Sequence, residues 1–226
     1  MKIPLVLLSG LLSNESLWKH QTSYLSDDAE IRIISPSQNT PQKMVQAILE
    51  AAPAKFALAG HSMGGWLALE VMRTAPSRVS KLCLLNTTAR GDLDEKKARR
   101  QMMIRKTEQG QFLEVVKEMA EYFIVNPLVK NDVEKMFLDV GKEAFIHQEE
   151  AMIMRHECQS VLPGITCPTL VIHAAKDRVF SLEEHRELVD QIAGAKLAIV
   201  EDAGHMSPIE MPQAITALLK FWLTYF

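Results

Sequence analysis

A serine hydroxyl is a poor nucleophile at neutral pH unless a base takes its proton and donors receive the negative charge that forms on the attacked group. Ser62 stands in Gly60-His61-Ser62-Met63-Gly64-Gly65, a G-x-S-x-G spacing. A serine thrown out on so sharp a turn takes strained backbone angles, and glycine two residues to either side lets neighbouring chain pass without a Cβ clash. The spacing therefore predicts a strand, a tight turn and a helix, with the Ser62 Oγ clear at the apex. Asp177 and His205 follow it in the chain, each in a segment expected to lie just beyond a strand. His205 Nε2 would accept the Ser62 proton, and a carboxylate accepting from Nδ1 would fix the tautomer and stabilise the imidazolium. Asp177 is the expected carboxylate, with Asp92 and Asp202 as alternatives. The oxyanion needs donors set in place beforehand, for which the Met63 and Leu11 backbone N–H groups are the candidates, and Gly10 makes room for the second. Leu12 and Met206 are expected to contact substrate. His61 and His173 sit at strand ends with no separate chemical context and read as structural.

Such residues must be gathered at the carboxyl ends of parallel strands, where the loops of successive crossovers converge. Apolar runs at 3–8, 31–34, 56–59, 81–85, 169–173 and 196–200 read as six strands, and continuous runs suit a sheet covered on both faces. Helices are expected from Ser16, as cap, to about residue 25, and after Thr40-Pro41, with Met44, Val45, Ile48 and Ala51 on one face. Another, over 65–74, is apolar nearly all round, as a helix buried against a sheet should be. Ser181 to Glu184 form a capping-box start for a helix to about residue 192, and a last amphipathic helix follows Pro208 and Pro212. After the fourth strand the rhythm stops. Residues 93–109, 111–124, 130–140 and 142–158 instead read as helices. The expected fold is α/β: a mostly parallel sheet of about six strands, helices on both faces, and a helical cap inserted after the fourth strand. Residues 1–85 and 163–226 would form the core and 86–162 the cap, in one continuous globular unit. Half of the twelve methionines fall in that cap. Their adaptable side chains suit either a cavity lining or core packing.

Composition narrows the partners. With 226 residues, 47% of them apolar, the chain can bury a sizeable core and still hold a deep pocket. The net charge of −3 and the interleaving of bases with acids exclude the signature of nucleic-acid or anionic-membrane binding. The densest basic stretch, 96–106, follows Asp92, Asp94 and Glu95 and reads as a solvated helix face. Cys83, Cys158 and Cys167 are odd in number and lack paired ligand spacing, so neither a disulfide framework nor a metal site is expected, and His156-Glu157-Cys158 reads as ordinary structure. A reducing, cytoplasmic setting fits best. No run approaches the roughly 18–20 apolar residues of a membrane-crossing helix, and the short run at 3–8 serves better as an internal strand than as a secretory leader.

Leu7-Leu8-Ser9-Gly10, the turn around Ser62, Pro168-Thr169-Leu170-Val171-Ile172 leading to Asp177, and Gly204-His205 together span most of the chain. In this set the chain resembles the α/β-hydrolase superfamily, in the branch with a helical cap. The resemblance implies a cofactor-free serine hydrolase, carboxylesterase-like, that acts on a small or medium-sized ester or related acyl compound through an acyl-enzyme on Ser62. Relatives with this triad also hydrolyse C–C bonds, eliminate small groups or transfer acyl groups. A ligand receptor on the same fold is the alternative from a different class, while an aspartate-nucleophile dehalogenase is disfavoured by serine at position 62. The family often has His-Gly where this chain has Ser9-Gly10, and two strands ahead of the first one here, so a reduced sheet of six strands is expected. Residues 35–40 stand where the family has a Gly-containing loop. A narrow apolar cavity above Ser62 would favour acyl esters, and converging arginines, such as Arg90 or Arg155, a carboxylated substrate.

Overall fold

The central apolar runs carry side chains for two buried faces, whereas the edge runs at 29–34 and 196–200 are partly exposed. The computed structural model describes residues 2–226. It contains β1 (Ile3–Leu8), β2 (Ala29–Ile34), β3 (Phe56–His61), β4 (Val79–Leu85), β5 (Thr169–Ala174) and β6 (Lys196–Val200). They form one sheet in the order β2-β1-β3-β4-β5-β6, parallel throughout. Successive side chains alternate between faces. Leu5, Leu7, Ala57, Ala59, Cys83 and Leu85 enter one core, and Val6, Leu8, Leu58, Leu82 and Leu84 the other. Burial on both faces is why these strands read as unbroken apolar runs.

The first face is covered by α1 (Lys19–Leu25) and α10 (Pro212–Tyr225), which contribute Leu25, Ile215, Leu219 and Trp222. On the second lie α2 (Pro41–Ala51), α3 (Met63–Thr74) and α8 (Leu182–Gln191), with Met44, Ile48, Trp66, Leu67 and Leu188. The helix starts expected at Thr40 and Ser181 carry their caps. Thr40 Oγ1 accepts the Lys43 N–H at 3.3 Å. Ser181 Oγ accepts the Glu184 N–H at 3.3 Å while Glu184 Oε2 accepts the Ser181 N–H at 2.8 Å. The strand order reverses at β1: β2 lies on one side of it and β3 on the other. The crevice beyond the ends of β1 and β3 is the switch point at which such sheets bind ligands, and Ser62 follows β3 directly.

Between β4 and β5 the chain forms α4 (Asp94–Glu108), α5 (Phe112–Phe123), α6 (Lys130–Val140) and α7 (Lys142–Ile153). Two local expectations are corrected. Asn14, not Ser16, caps the first helical segment: its Oδ1 accepts the Ser16 N–H at 2.9 Å, and a 3-10 turn, Glu15–Trp18, precedes α1. Helix α7 stops at Ile153 rather than near 158, because the chain turns back to the core, where the Cys158 N–H meets the Ala89 carbonyl at 2.7 Å. Pro208 belongs to a separate one-turn helix, α9 (Ser207–Glu210), ahead of α10. No helix among the described residues is long and apolar enough to cross a membrane.

The turn after β3 is closed by backbone contact. A Cβ on Gly60 would lie 2.3 Å from the Gly64 carbonyl oxygen, and one on Gly64 would lie 2.4 Å from that of Leu8. No side-chain rotation relieves either clash. Gly60→Ala and Gly64→Ala should each lower the unfolding free energy in urea by at least about 3 kcal/mol. Gly164→Ala, where a Cβ meets nothing within 4 Å, should be near neutral in the same measurement.

Candidate active site

Ser62 holds φ +56° and ψ −118°, in the left-handed half of backbone space that a residue with a Cβ avoids. Such a conformation costs on the order of 1–3 kcal/mol and persists where surrounding bonds over-determine it. Here the Ser62 N–H donates to the Leu85 carbonyl at 2.9 Å. Its own carbonyl accepts from the N–H groups of Gly65 and Trp66, at 3.0 and 3.1 Å, and from the Thr87 hydroxyl at 2.8 Å. The side chain is left free to point outward at the start of α3.

Two contacts join the three predicted residues. The Ser62 hydroxyl donates to His205 Nε2 at 2.9 Å, and His205 Nδ1–H donates to Asp177 Oδ2 at 3.0 Å. The Asp177 carboxylate also receives the Asn86 side-chain amide at 2.9 Å and the Val179 N–H at 2.7 Å. Burial by itself would raise its pKa, but the charge and hydrogen bond of His205, with those two donors, outweigh it and hold Asp177 down to about 2. Neither rival carboxylate is in this position. Asp92 binds Arg100 Nε at 2.6 Å, and the exposed Asp202 pairs with Lys176 at 2.9 Å.

His205 is held by its main chain from two sides. Its N–H donates to the Phe123 carbonyl, at the end of α5, at 2.8 Å. Its carbonyl accepts from His61 Nε2–H at 2.7 Å. Gly204 is required here, since a Cβ would lie 2.9 Å from the Phe123 carbonyl oxygen and 2.8 Å from Glu210 Oε1. Glu210 in turn accepts the N–H groups of Val125, Asn126 and Met206 at 2.8, 3.1 and 3.1 Å. Asn86, Ser207, Glu210 and Phe123 were not legible as site residues. The one available signal was Asn86, the first polar residue beyond an apolar strand. It takes φ +46° and accepts the Ser207 hydroxyl at 2.6 Å while its amide serves Asp177.

Leu11 and Met63 both line the cavity beside Ser62. Among the described residues neither backbone N–H has a protein acceptor, whereas the adjacent Leu12 N–H is taken by Gln148 Oε1 at 2.9 Å. A Cβ on Gly10 would come within 3.1 Å of the Ser62 Cβ, so glycine there lets the loop after β1 approach the turn. Ser9, where the resembled family often has histidine, is buried and receives the Ser35 hydroxyl at 3.0 Å. Leu12 and Met206, expected to contact substrate, are instead buried in the core on the α1 and α10 side and do not line the cavity. Leu12 has φ +54°, which turns its side chain into that core as the loop reverses.

The cavity encloses about 120 Å³ above Ser62 and His205, small beside the few hundred Å³ of sites for drug-sized ligands. Helices α4, α5 and α7 supply much of its wall. Of the six methionines between β4 and β5, Met103, Met119 and Met152 line it, while Met136, in α6, packs in the core and Met102 and Met154 are exposed. Its charged lining is Lys96, Arg99, Arg100, Glu149 and Arg155. Arg90 is not part of it and pairs with Glu187 at the surface. Among the described residues no three His, Cys, Asp or Glu side chains are grouped as a metal ion would require.

The Ser62 turn lies at the switch point of a parallel sheet, with a histidine–carboxylate pair beyond two neighbouring strands, an arrangement that fits a hydrolase class. The model of the alpha/beta hydrolase family matches residues 5–218, and the chain belongs to that family. It is 30% identical to a protein of Mycobacterium tuberculosis named as a candidate non-heme bromoperoxidase, over 77% of this chain and 70% of that one. It is 27% identical to 3-oxoadipate enol-lactonase 2 of Acinetobacter baylyi, over 93% of this chain and 84% of the lactonase. Among solved structures, a thermophilic esterase from Thermogutta terrifontis superposes with a TM-score of 0.88 at 25% identity, covering 99% of this chain and 90% of the esterase.

Two buried histidines give the fold an acid limit. Burial, with His205 alongside, lowers His61 to about 3, and burial, with His173 alongside, lowers His185 to about 4. An unfolded chain protonates both near pH 6.5. Above that pH both states are neutral and stability is unaffected; below it the unfolded state binds protons that the fold refuses, so stability falls until the folded values are reached. Urea unfolding should lose roughly 3–4 kcal/mol between pH 7 and pH 5. His185→Gln should flatten that slope by about half, whatever its own stability at pH 7.

Proposed function

We propose that this hydrolase cleaves a small ester or related acyl compound through an acyl-enzyme on Ser62, with His205 as base and acid and Asp177 as its orienting carboxylate. The observation that carries this reading is the continuous proton path Ser62 Oγ–His205 Nε2–His205 Nδ1–Asp177 Oδ2, with links of 2.9 and 3.0 Å. As Ser62 Oγ bonds to the carbonyl carbon, its proton passes to Nε2, and the imidazolium is stabilised by a carboxylate that stays ionised. The carbonyl oxygen takes the negative charge and is received by the Leu11 and Met63 N–H groups, the latter at the positive end of α3. Collapse expels the alcohol oxygen, which takes the proton from Nε2. Water then gives a proton to Nε2 as its oxygen bonds to the acyl carbon, and as the Ser62–acyl bond breaks Nε2 returns that proton to Ser62 Oγ, which releases the acid and restores the free serine.

Residues 86–162 act in this reading as a cap over the core formed by 1–85 and 163–226, and the enclosed volume restricts the acyl group to a short one. The names of two of the similar proteins, an esterase and an enol-lactonase, agree with ester cleavage, a lactone being an internal ester.

A fluorophosphonate probe should modify folded wild-type protein at Ser62, located by peptide mass spectrometry, and leave Ser62→Ala unmodified. No adduct on folded protein would refute Ser62 as nucleophile. In p-nitrophenyl ester hydrolysis, Asp177→Asn should reduce kcat by orders of magnitude, about 10⁴-fold on the scale of a serine-protease triad. A near-normal rate would remove Asp177 from the mechanism.

A further inference from the structure

The cations around the cavity are not equally matched. Arg100 holds two carboxylates, Asp92 at 2.6 Å and Glu149 at 2.5 Å, and its charge is fully answered. Arg99 lies over the Tyr122 ring at 5.1 Å, and Lys96 reaches Asp92 at 3.8 Å. Arg155 is different. It is 3% exposed and its Nη2 donates to the Thr88 carbonyl at 2.6 Å, but its Nε and Nη1 have no hydrogen-bond partner. Among the described residues no carboxylate lies within ion-pair distance of it.

Besides the Thr88 carbonyl, the Trp66 ring lies 5.4 Å from the guanidinium carbon, and Asp92, which is held by Arg100, adds an attraction from beyond ion-pair distance. A cation–π contact of this kind is worth up to about 2 kcal/mol, whereas an ion removed from water without a counter-charge costs several. Burial lowers the pKa of Arg155 only to about 10, so it remains charged at neutral pH. Glu149 does not cancel it. Its Oε2 is engaged by Arg100, and neither of its oxygens is within ion-pair distance of Arg155. The wall therefore carries an excess of positive charge even with Asp92 and Glu149 both ionised.

We infer that the acyl compound bound above Ser62 carries a carboxylate, and that Arg155 is the residue that receives it. The inference rests on the ester-hydrolase reading for its chemistry, but the recognition step stands apart from turnover. The guanidinium presents planar donors of the kind that suit a carboxylate, and the apolar side chains of Met103, Met119 and Met152 offer a place for a short methylene chain between the two polar ends. An uncharged ester of the same length would leave the Arg155 Nε and Nη1 donors without a counter-charge.

Binding to full-length Ser62→Ala protein tests this without any catalytic step. By isothermal titration calorimetry, succinate, glutarate and adipate are compared with their uncharged diamides. At least one of the acids should bind tenfold or more tightly than its diamide. Arg155→Met should abolish the preference and Arg155→Lys should retain part of it. Equal binding of acids and diamides would overturn the inference, as would an Arg155→Met protein, shown folded by circular dichroism, that keeps the preference. Inorganic phosphate binding as tightly as the best diacid would replace carboxylate recognition by general anion binding and would also overturn it. If Arg155→Met does not fold, the comparison in Ser62→Ala protein and the Arg155→Lys result still decide. Failure of fluorophosphonate labelling would remove Ser62 as nucleophile and leave this binding result untouched, so the two readings fail separately.

Discussion

The structure around Ser62 depends on a contact between backbones. Where Gly60 passes Gly64 and Gly64 passes the Leu8–Ser9 peptide, there is no space for a single added carbon. That approach is what allows α3 to begin immediately beyond β3 while lying against the end of β1. It places the first turn of a twelve-residue helix, and with it the Met63 N–H, beside the loop that carries the Leu11 N–H. The strain at Ser62 is a consequence of the same geometry, and it is offset locally by the Leu85 carbonyl, the Thr87 hydroxyl and the first turn of α3. The sheet supplies the rigidity, and the three glycines 60, 64 and 65 supply the clearance.

His205 is positioned in another way. Its backbone lies in no strained region, and it depends on partners distant in the chain: the Phe123 carbonyl from α5 on one side and His61 from β3 on the other. Glu210 reinforces the first by holding the chain at Val125 and Asn126, so the inserted helices and the histidine loop share one hydrogen-bonded seam. The end of α5 thus helps fix the backbone of the residue that would exchange a proton with Ser62. The same arrangement explains why His61 is neutral: Nε2 must carry the proton to bind the His205 carbonyl, and Nδ1 is packed against Gly10 with no acceptor or donor available.

The electrostatics of the cavity separate structural charge from charge with a role to fill. Arg100 with Asp92 and Glu149 is a buried unit of one cation and two carboxylates that ties α4 to α7. Arg155 sits among the same elements without such pairing. The methionines between β4 and β5 divide in the same manner, three at the cavity wall, one in the core and two at the surface. Periodicity could not have sorted them, since it distinguishes faces of a helix but not what each face meets.

The amino-acid sequence by itself determined the six strands, their parallel assembly into an alpha/beta hydrolase fold and the order Ser62, Asp177, His205 along the strand ends. These are legible because they rest on local rules: unbroken apolar runs, glycine where the chain must pass close, and crossovers of sufficient length. What only the tertiary structure decided was every relation across the sheet. Asp177 rather than Asp92 faces His205 because Arg100 engages Asp92 from α4, and Leu12 turns into the core because φ is positive there. Asn86, Ser207 and Phe123 acquire their roles only when β4, α9 and α5 meet. Those contacts join residues far apart in the chain, so no local pattern of spacing could carry them.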